Sequence, residues 1–404
     1  MNTTTSQVIN FDAVRKPAKQ ASTLHPSCYT SQDWYDKEMR AIFLREWVCV
    51  GRVEQISKAG DFFTVDVVGE PLILVRNENG EFKAHVNSCR HRGATVAQGH
   101  GNLRMFRCPY HSWMYTLDGK LTSTPGRDKP MTDVEHFCKD DYGLISVRVD
   151  SWGGFLFVNF DAGAQPLSTW LGDLPEFLNN YKLDEMICTR SITMEVKANW
   201  KLPIDNFLEG YHIHTVHTKH MKVDYPQKWT RLQSDGPYIG HYLENSVARI
   251  AKLPLLDSLT DHERDGVMHM WLVPNVKLSV ASSYMKFFLI FPVGPTKHRL
   301  VASYCFPRAT TEMTDFEEIV GPNYYGRGTI GKRDGDWVDE IILEDNEVLE
   351  RVQVGLASRF AISGRFAASE GLVHTMANYV LDRVEIERPQ GFPQDTAAWP
   401  RRTA

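Results

Sequence analysis

The sequence predicts an α+β protein built of two unlike parts, on three observations. The first half carries short β runs, DFFTVDVV, PLILVRN and EFKAHV, punctuated by Glu70-Pro71 and by the turn from Asn77 to Gly80. Further on, MHMWLVPNVKLSVASSYMKFFLIFPV and HRLVASYCFPRA read as several strands of one curved antiparallel sheet. A long helix should then run from about Trp337 to Ser358, because Val338, Ile341, Ile342, Val348, Leu349 and Val352 recur at helical spacing.

In chain order, residues 1–27 are polar and without periodicity, and are expected to form a mobile arm that touches a neighbouring subunit. SQDWYDKEMRAIFLREW should be helical, capped by Ser31, with Trp34, Met39, Ile42, Phe43 and Trp47 on its apolar face. SVRVD and GGFLFVNF flank Gly153-Gly154 and close the first part near Asp150. STWLGDLPEFLNNY reads as helix and SITMEVKANW as strand; the tail PQGFPQDTAAWPRRTA is too rich in proline and polar groups to be a domain. The expected division is an arm and helix packing with the second domain at 1–46, a first domain at 47–150, a second at 151–385 and a C-terminal arm at 386–404.

The bulk numbers exclude several classes. The 404 residues allow two or three domains, and a formal net charge of −5 gives no footprint for nucleic acid. No run of 18 apolar residues suggests a membrane span, and the N-terminal stretch has no apolar secretory region. The seven cysteines are an odd, scattered set, so reduced thiols in a cytoplasmic protein are expected.

Chemistry concentrates in two stretches. In NSCRHRGATVAQGHGNLRMFRCPYHSW, Cys89 and His91 form C-x-H, and Cys108 and His111 form C-x-x-H after a gap of about sixteen residues. Each loop thus offers one thiolate and one imidazole. Structural zinc prefers like ligands paired in one loop, whereas a Rieske [2Fe–2S] centre places two Cys on one iron and two His on the other. Gly93 and Pro109 suit tight loops, and Trp113 and Tyr115 can shield a cluster. The second stretch, NWKLPIDNFLEGYHIHTVHTKH, holds His212, His214, His217 and His220 beside Glu209. Two imidazoles and a carboxylate suit non-haem Fe(II) with positions left open for O₂. Spacing alone leaves the pair undecided: His214, His217 and His220 could share one helix face, while His212 and His217 need a helix that ends or distorts. Downstream, Asp345 interrupts the apolar stripe of WVDEIILEDNEVLERVQVGLAS, where a buried carboxylate is costly unless paired or metal-bound; Glu347 is the alternative, and Glu344, Glu350 and Arg351 fall mostly on the polar side.

C-R-H-R-G, C-P-Y-H-S-W and DNFLEGYHIHTVH together resemble the α subunits of Rieske non-haem iron, ring-hydroxylating oxygenases, over roughly residues 30 to 385. The resemblance implies an all-β Rieske domain ahead of a helix-grip (START/Bet v 1-like) catalytic domain. It implies Cys89, His91, Cys108 and His111 as cluster ligands, His212 and His217 as iron ligands and Asp345 as the third. It further implies a homotrimer in which Glu209 links His212 to His111 of the neighbouring subunit. Electrons would come from NAD(P)H through a separate reductase, sometimes with a ferredoxin, and O₂ would be the co-substrate. Glu209 departs from the commoner Asp and resembles the branch of carnitine and glycine-betaine oxygenases. That favours a small quaternary-ammonium substrate cleaved at C–N, with Tyr242, Trp271, Tyr284 and Phe287 as candidate aromatic faces. The alternatives are a dioxygenase acting on an aromatic acid or other arene and, in other classes, a pure electron-transfer protein or a zinc-stabilised binding module.

Overall fold

The computed structural model describes residues 10–126, 129, 131–219, 229–232, 235–244, 253–320, 330–333 and 336–385. They form two compact units. One comprises Phe43–Pro175 with Lys182–Glu185; the other holds the described residues up to Ile42, Glu176–Tyr181 and those from Met186 onward.

The first unit is all-β. Its strands are β1 (Val48–Arg52), β2 (Asp61–Val67), β3 (Glu70–Arg76), β4 (Phe82–Val86), β5 (His100–Asn102), β6 (Phe106–Arg107), β7 (Met114–Tyr115), β8 (Leu121–Ser123), β9 (Ser146–Trp152) and β10 (Phe155–Asn159). A seven-stranded sheet runs β1-β10-β9-β4-β3-β2-β5, and β6-β7-β8 form a separate small sheet. The two Cys/His loops leave β4 and β6. Asn87 shapes the first: buried, its side chain accepts from Val96 N–H at 2.8 Å and donates to the Ala97 carbonyl at 2.8 Å. A boundary at Asp150 would cut through β9, which pairs along its length with β10 and holds the Gly153-Gly154 hairpin in this unit. Both glycines have positive φ, the left-handed region that a side chain disfavours.

In the second unit, α1 (Gln32–Glu38) starts at Ser31, whose hydroxyl accepts from Trp34 N–H. It gives way to a π-helical turn over Met39–Phe43 instead of continuing to Trp47. Residues 10–27 are docked, not free: Arg15 pairs with Asp382 and Glu385, and Val14, Ala21 and Leu24 are buried. The stretch expected as one helix at 168–181 is broken into single turns around Gly172, which has φ +59°, and Pro175.

The sheet of this unit comprises β11 (Met186–Val196), β12 (Trp229–Arg231), β13 (Tyr238–Glu244), β14 (Gly266–Leu272), β15 (Val276–Ala281), β16 (Met285–Gly294) and β17 (Lys297–Pro307). It is antiparallel throughout, in the order β11-β17-β16-β15-β14-β13-β12. Between β11 and β12 lie α2 (Leu202–Phe207) and a one-turn helix, α3 (Ile213–Val216). After the sheet come a two-stranded ribbon of β18 (Ile330–Arg333) and β19 (Asp336–Asp339), then α4 (Glu340–Leu356) and α5 (Gly371–Glu385). Helix α4 begins three residues later than its apolar spacing suggests, because Trp337 and Val338 belong to β19. Asp339 caps it, accepting from Ile341 N–H at 2.9 Å.

A buried ion pair joins α1 to the entry of α2. Glu38 and Lys201 are both fully buried and 2.7 Å apart, and the indole N–H groups of Trp34 and Trp200 donate to the same carboxylate at 2.7 and 2.8 Å. Removing one partner strands the other charge. We expect Glu38→Ala to cost about 3–5 kcal/mol of unfolding free energy in urea titration. The double change Glu38→Leu, Lys201→Met should recover much of that loss. A single-mutant cost near zero would show that the pair is not what anchors α1.

Candidate metal centres

In the first unit, Cys89 and Cys108 are buried and unpaired by disulfide. Their loops fold tightly: Gly93 N–H donates to the Cys89 carbonyl at 2.8 Å with Gly93 at φ +77°, and Ser112 N–H donates to the Cys108 carbonyl at 3.0 Å with Ser112 at φ +58°. The His91 and His111 rings lie 4.6 Å apart between centroids. Their Nδ1 atoms are both buried without a hydrogen-bond partner among the described residues. Buried imidazole nitrogens without partners are costly, and two of them beside two buried thiols make the donor set a Rieske cluster requires. Trp113 stacks on His91 at 4.8 Å, so shielding by this ring is direct. Tyr115 does more than shield. Its hydroxyl sits 3.1 Å from Cys89 Sγ and accepts from Arg90 N–H at 3.1 Å, which leaves its own proton for the sulfur.

In the other unit, α2 stops at Phe207, Gly210 and Tyr211 make the turn, and α3 is a single turn flanked by His212 and His217. His217 leaves helical geometry at ψ 31°. The distortion that this histidine pair requires is therefore present. His212 and His217 each turn Nε2 toward Asp345, at 3.6 and 3.1 Å from its Oδ1. One ligand atom from each of the three residues lies within 4.8 Å of the others, the spread a single metal ion needs. Each imidazole is held from behind by an acid: His212 Nδ1 donates to Glu209 at 2.5 Å and His217 Nδ1 to Glu344 at 2.9 Å. A carboxylate only accepts, so both protons sit on Nδ1 and both Nε2 lone pairs face Asp345. Lone pairs facing a carboxylate repel, and a cation between them turns the repulsion into ligation. Without that cation, burial pushes the His217 pKa down, but the ring's hydrogen bonds to the Asp345 and Glu344 carboxylates, and their negative charge, outweigh it and raise the value.

Glu344 is the residue that sequence reasoning misplaced. Spacing puts it on the polar side of α4, yet it is the partner of His217, whose Nδ1 lies 2.9 Å from its carboxylate. Glu347 is not in the cluster; it is exposed and bonded to Arg351. His214 is exposed and His220 lies outside the described residues. The four candidate aromatics do not form one cage. Successive strand residues alternate faces, so Tyr242 and Phe287 lie opposite to His241 and Lys286. Trp271 is fully buried against Tyr379 and Tyr284 packs near Phe306.

A model of the ring-hydroxylating α subunit catalytic domain matches residues 183–386, just over half of the chain, and a Rieske [2Fe–2S] domain model matches residues 46–142. The chain belongs to the ring-hydroxylating α-subunit family. It is 28% identical over 339 residues to the carnitine monooxygenase oxygenase subunit of Acinetobacter pittii (strain PHEA-2), covering 82% of this chain and 84% of that one. It is 27% identical over 391 residues to the chloroplastic choline monooxygenase of Arabidopsis thaliana, covering 91% and 84%. The solved structure of the quaternary ammonium Rieske monooxygenase CntA with L-carnitine superposes with a TM-score of 0.75 at 24% identity, over 93% of this chain and 99% of that one. The fold is thus an all-β Rieske domain with a catalytic domain built on a curved antiparallel sheet, and the chain is a Rieske-type oxygenase with a [2Fe–2S] cluster and a mononuclear non-haem iron. No helix of the described residues is long and apolar enough to cross a membrane.

Hydrogen bonds to cluster sulfur stabilise the reduced, more negative state and raise the reduction potential. We expect Tyr115→Phe to lower the midpoint potential of the Rieske centre while its iron and sulfide content stays the same. Spectroelectrochemical titration of the two proteins measures this. An unchanged potential would mean that the hydroxyl donates elsewhere.

Proposed function

We propose that this chain is the terminal oxygenase component of a Rieske monooxygenase, with the cluster on Cys89, His91, Cys108 and His111 and the iron on His212, His217 and Asp345. Its substrate is a quaternary-ammonium compound hydroxylated on a carbon next to nitrogen. The observation that carries the reading is the convergence of two acid-backed imidazoles and one carboxylate, in a chain that also brings two thiols and two unpartnered imidazoles together. The carnitine and choline oxygenases among its relatives, and Glu209 in place of the commoner Asp, support the substrate class.

When bound, the cluster supplies single electrons and the mononuclear iron activates O₂. The protein's own part is positional. Glu209 and Glu344 fix the tautomers of His212 and His217 and raise their basicity. Asn206 donates to Asp345 Oδ1 at 3.3 Å and holds its rotamer. One oxygen atom enters a C–H bond beside nitrogen and the other leaves as water with two electrons and two protons. The resulting α-hydroxy ammonium releases its hydroxyl proton as the C–N bond breaks, with the bonding pair going to nitrogen, and gives a tertiary amine and an aldehyde. Electrons come from NAD(P)H through a separate reductase, with or without a ferredoxin.

The assembly we propose is a homotrimer in which Glu209 of one subunit accepts from the cluster histidine, His111, of the next. Two aromatic rings support it: Tyr110, beside His111, and Tyr211, beside His212, are 58% and 68% exposed, as rings awaiting a neighbour would be.

Three outcomes test this reading. Anaerobically purified protein should contain acid-labile sulfide and iron; zinc without sulfide would overturn the cluster assignment. His212→Ala, His217→Ala and Asp345→Ala should each lose the mononuclear iron and product formation while the Rieske spectrum persists; Glu344→Gln should weaken iron binding about 10–100-fold in a chelator competition. Glu209→Gln should keep both metals yet slow reoxidation of the pre-reduced cluster at least about tenfold, roughly 1.4 kcal/mol on the barrier, in stopped flow with substrate and O₂. An undiminished rate with iron fully loaded would remove Glu209 from the electron path.

A further inference from the structure

The catalytic unit buries more positive charge than its structure uses. Among the described residues, Lys201, Lys277 and Lys286 are buried. Lys201 pairs with Glu38 at 2.7 Å and Lys286 with Asp339 at 2.7 Å. Lys277 differs: only 6% exposed, its ammonium has no hydrogen bond or ion pair among the described residues. It lies over two rings instead, 4.9 Å from the centroid of Phe207 and 4.5 Å from that of Phe288. Ring faces stabilise a cation only in part, so an ammonium left this way still lacks its counter-ion.

Its position connects it to the oxidation site. Phe207 ends α2, two residues before Glu209, and its ring also meets His269 edge-on at 5.3 Å. Lys277 and Asp345 are near enough that each charge shifts the other's proton affinity, yet in the assigned site Asp345 is committed to iron. Burial lowers the Lys277 pKa to about 8, so the side chain stays mostly cationic near neutral pH. His269 nearby is held neutral, its pKa pushed down to about 4 by burial and by Lys286 and Lys277. The catalytic interior is therefore polarised. At the metal, Glu209, Glu344 and Asp345 face one divalent ion and leave an excess of negative charge; at Lys277 there is an unmatched positive charge.

We propose that Lys277 is the receptor for a carboxylate on the substrate, and that the enzyme therefore selects zwitterions, a quaternary ammonium joined to a carboxylate, over simple quaternary-ammonium cations. The ammonium end lies toward the acid-rich metal site, where the carbon to be oxidised must be, and the carboxylate supplies the counter-ion that Lys277 lacks. The proposal rests on the reading of His212, His217 and Asp345 as the oxidation site.

Calorimetric binding to the iron-loaded holoenzyme tests it, with L-carnitine and glycine betaine as zwitterions, choline as a cation without carboxylate and benzoate as a carboxylate without ammonium. Wild type should bind at least one zwitterion at least tenfold more tightly than choline. Lys277→Met, which keeps the length and removes the charge, should weaken zwitterion binding at least tenfold without lowering the affinity for choline. Its ligand-free melting temperature should equal or exceed that of wild type, since a lone buried charge is gone. If Lys277→Met weakens choline as much as the zwitterions, or if no carboxylate ligand binds wild type, Lys277 is not a carboxylate receptor. If benzoate binds, Lys277→Met abolishes it and neither zwitterion binds, the receptor stands while the quaternary-ammonium reading fails. If Lys277→Met does not fold, Lys277→Arg, which retains the charge, decides: a folded variant that keeps the zwitterion preference upholds the proposal, and one that misfolds or loses the preference overturns it.

Discussion

One carboxylate oxygen organises the catalytic unit. Oδ1 of Asp345 faces Nε2 of His217, Nε2 of His212 and the amide of Asn206, all within 3.6 Å. Everything that fixes this oxygen in space serves the site. The helix that carries it, α4, starts at Asp339, a nearly fully buried residue whose Oδ1 caps the helix while its Oδ2 accepts from Lys286 at 2.7 Å and from the Tyr304 hydroxyl. The first turn of the helix is thereby tied to two strands of the sheet. Further along, Glu350 accepts from Lys197 N–H at 2.9 Å and Gln353 from Asn199 N–H at 2.8 Å. These bonds pin the helix to the chain just before α2, so the segment bearing the two histidines and the helix bearing the carboxylate share one frame.

The same bonds explain what could be read from the sequence and what could not. Strand positions were legible because apolar runs bounded by turns have few other fates, and β2, β3, β4, β15, β16 and β17 fall where those runs fall. β12 and β13 were not read, since their residues mix aromatic, polar and glycine positions and only the pairing of β13 with β14, and of β12 with β13, settles their register. Asp345 was legible as a polar break in an apolar stripe, a cost that needs a partner. Glu344 was not. Helical spacing distinguishes a buried side from a solvent side, but it cannot show that a second imidazole reaches the helix edge. The histidine pair was open on spacing alone because the question was where the helix ends; here it ends at His217. Lys277 was invisible for the opposite reason. In an apolar strand, a lone lysine reads as an outward residue, and only the fold shows it facing inward with two rings and no acid.

Charge placement links the site to its ligands. Buried ionisable groups persist when something offsets their desolvation. In this unit Glu38 answers Lys201, Asp339 answers Lys286, and the histidines answer Glu209 and Glu344. Lys277 lacks such a resident partner among the described residues. Asp205 also retains unused capacity: Tyr29 donates to one oxygen at 2.9 Å, the other oxygen is buried without a partner, and burial pushes its pKa up to about 7. A carboxyl group in that state is partly protonated near neutral pH, so it carries less than a full negative charge.

The nitrogen that each histidine leaves free separates the two metal sites. At His212 and His217 the outward nitrogen is Nδ1, already donated to an acid of the same chain, so those rings are locked and their inward Nε2 atoms face a common point. At His91 and His111 it is Nδ1 that is buried and unpartnered, which leaves Nε2 on the outer edge of two half-exposed rings. The geometry thus assigns opposite tautomers to the two pairs. The catalytic pair is closed on its outer side, suited to holding a metal rigidly while substrate and O₂ enter. The cluster pair is open on its outer side, where an N–H can reach an acceptor on another protein surface. Glu209 has one oxygen on His212 Nδ1, while its other oxygen accepts from the backbone N–H groups of Tyr211 and His212. A carboxylate oxygen has two lone-pair directions, so this arrangement still leaves capacity for an N–H from a neighbouring His111.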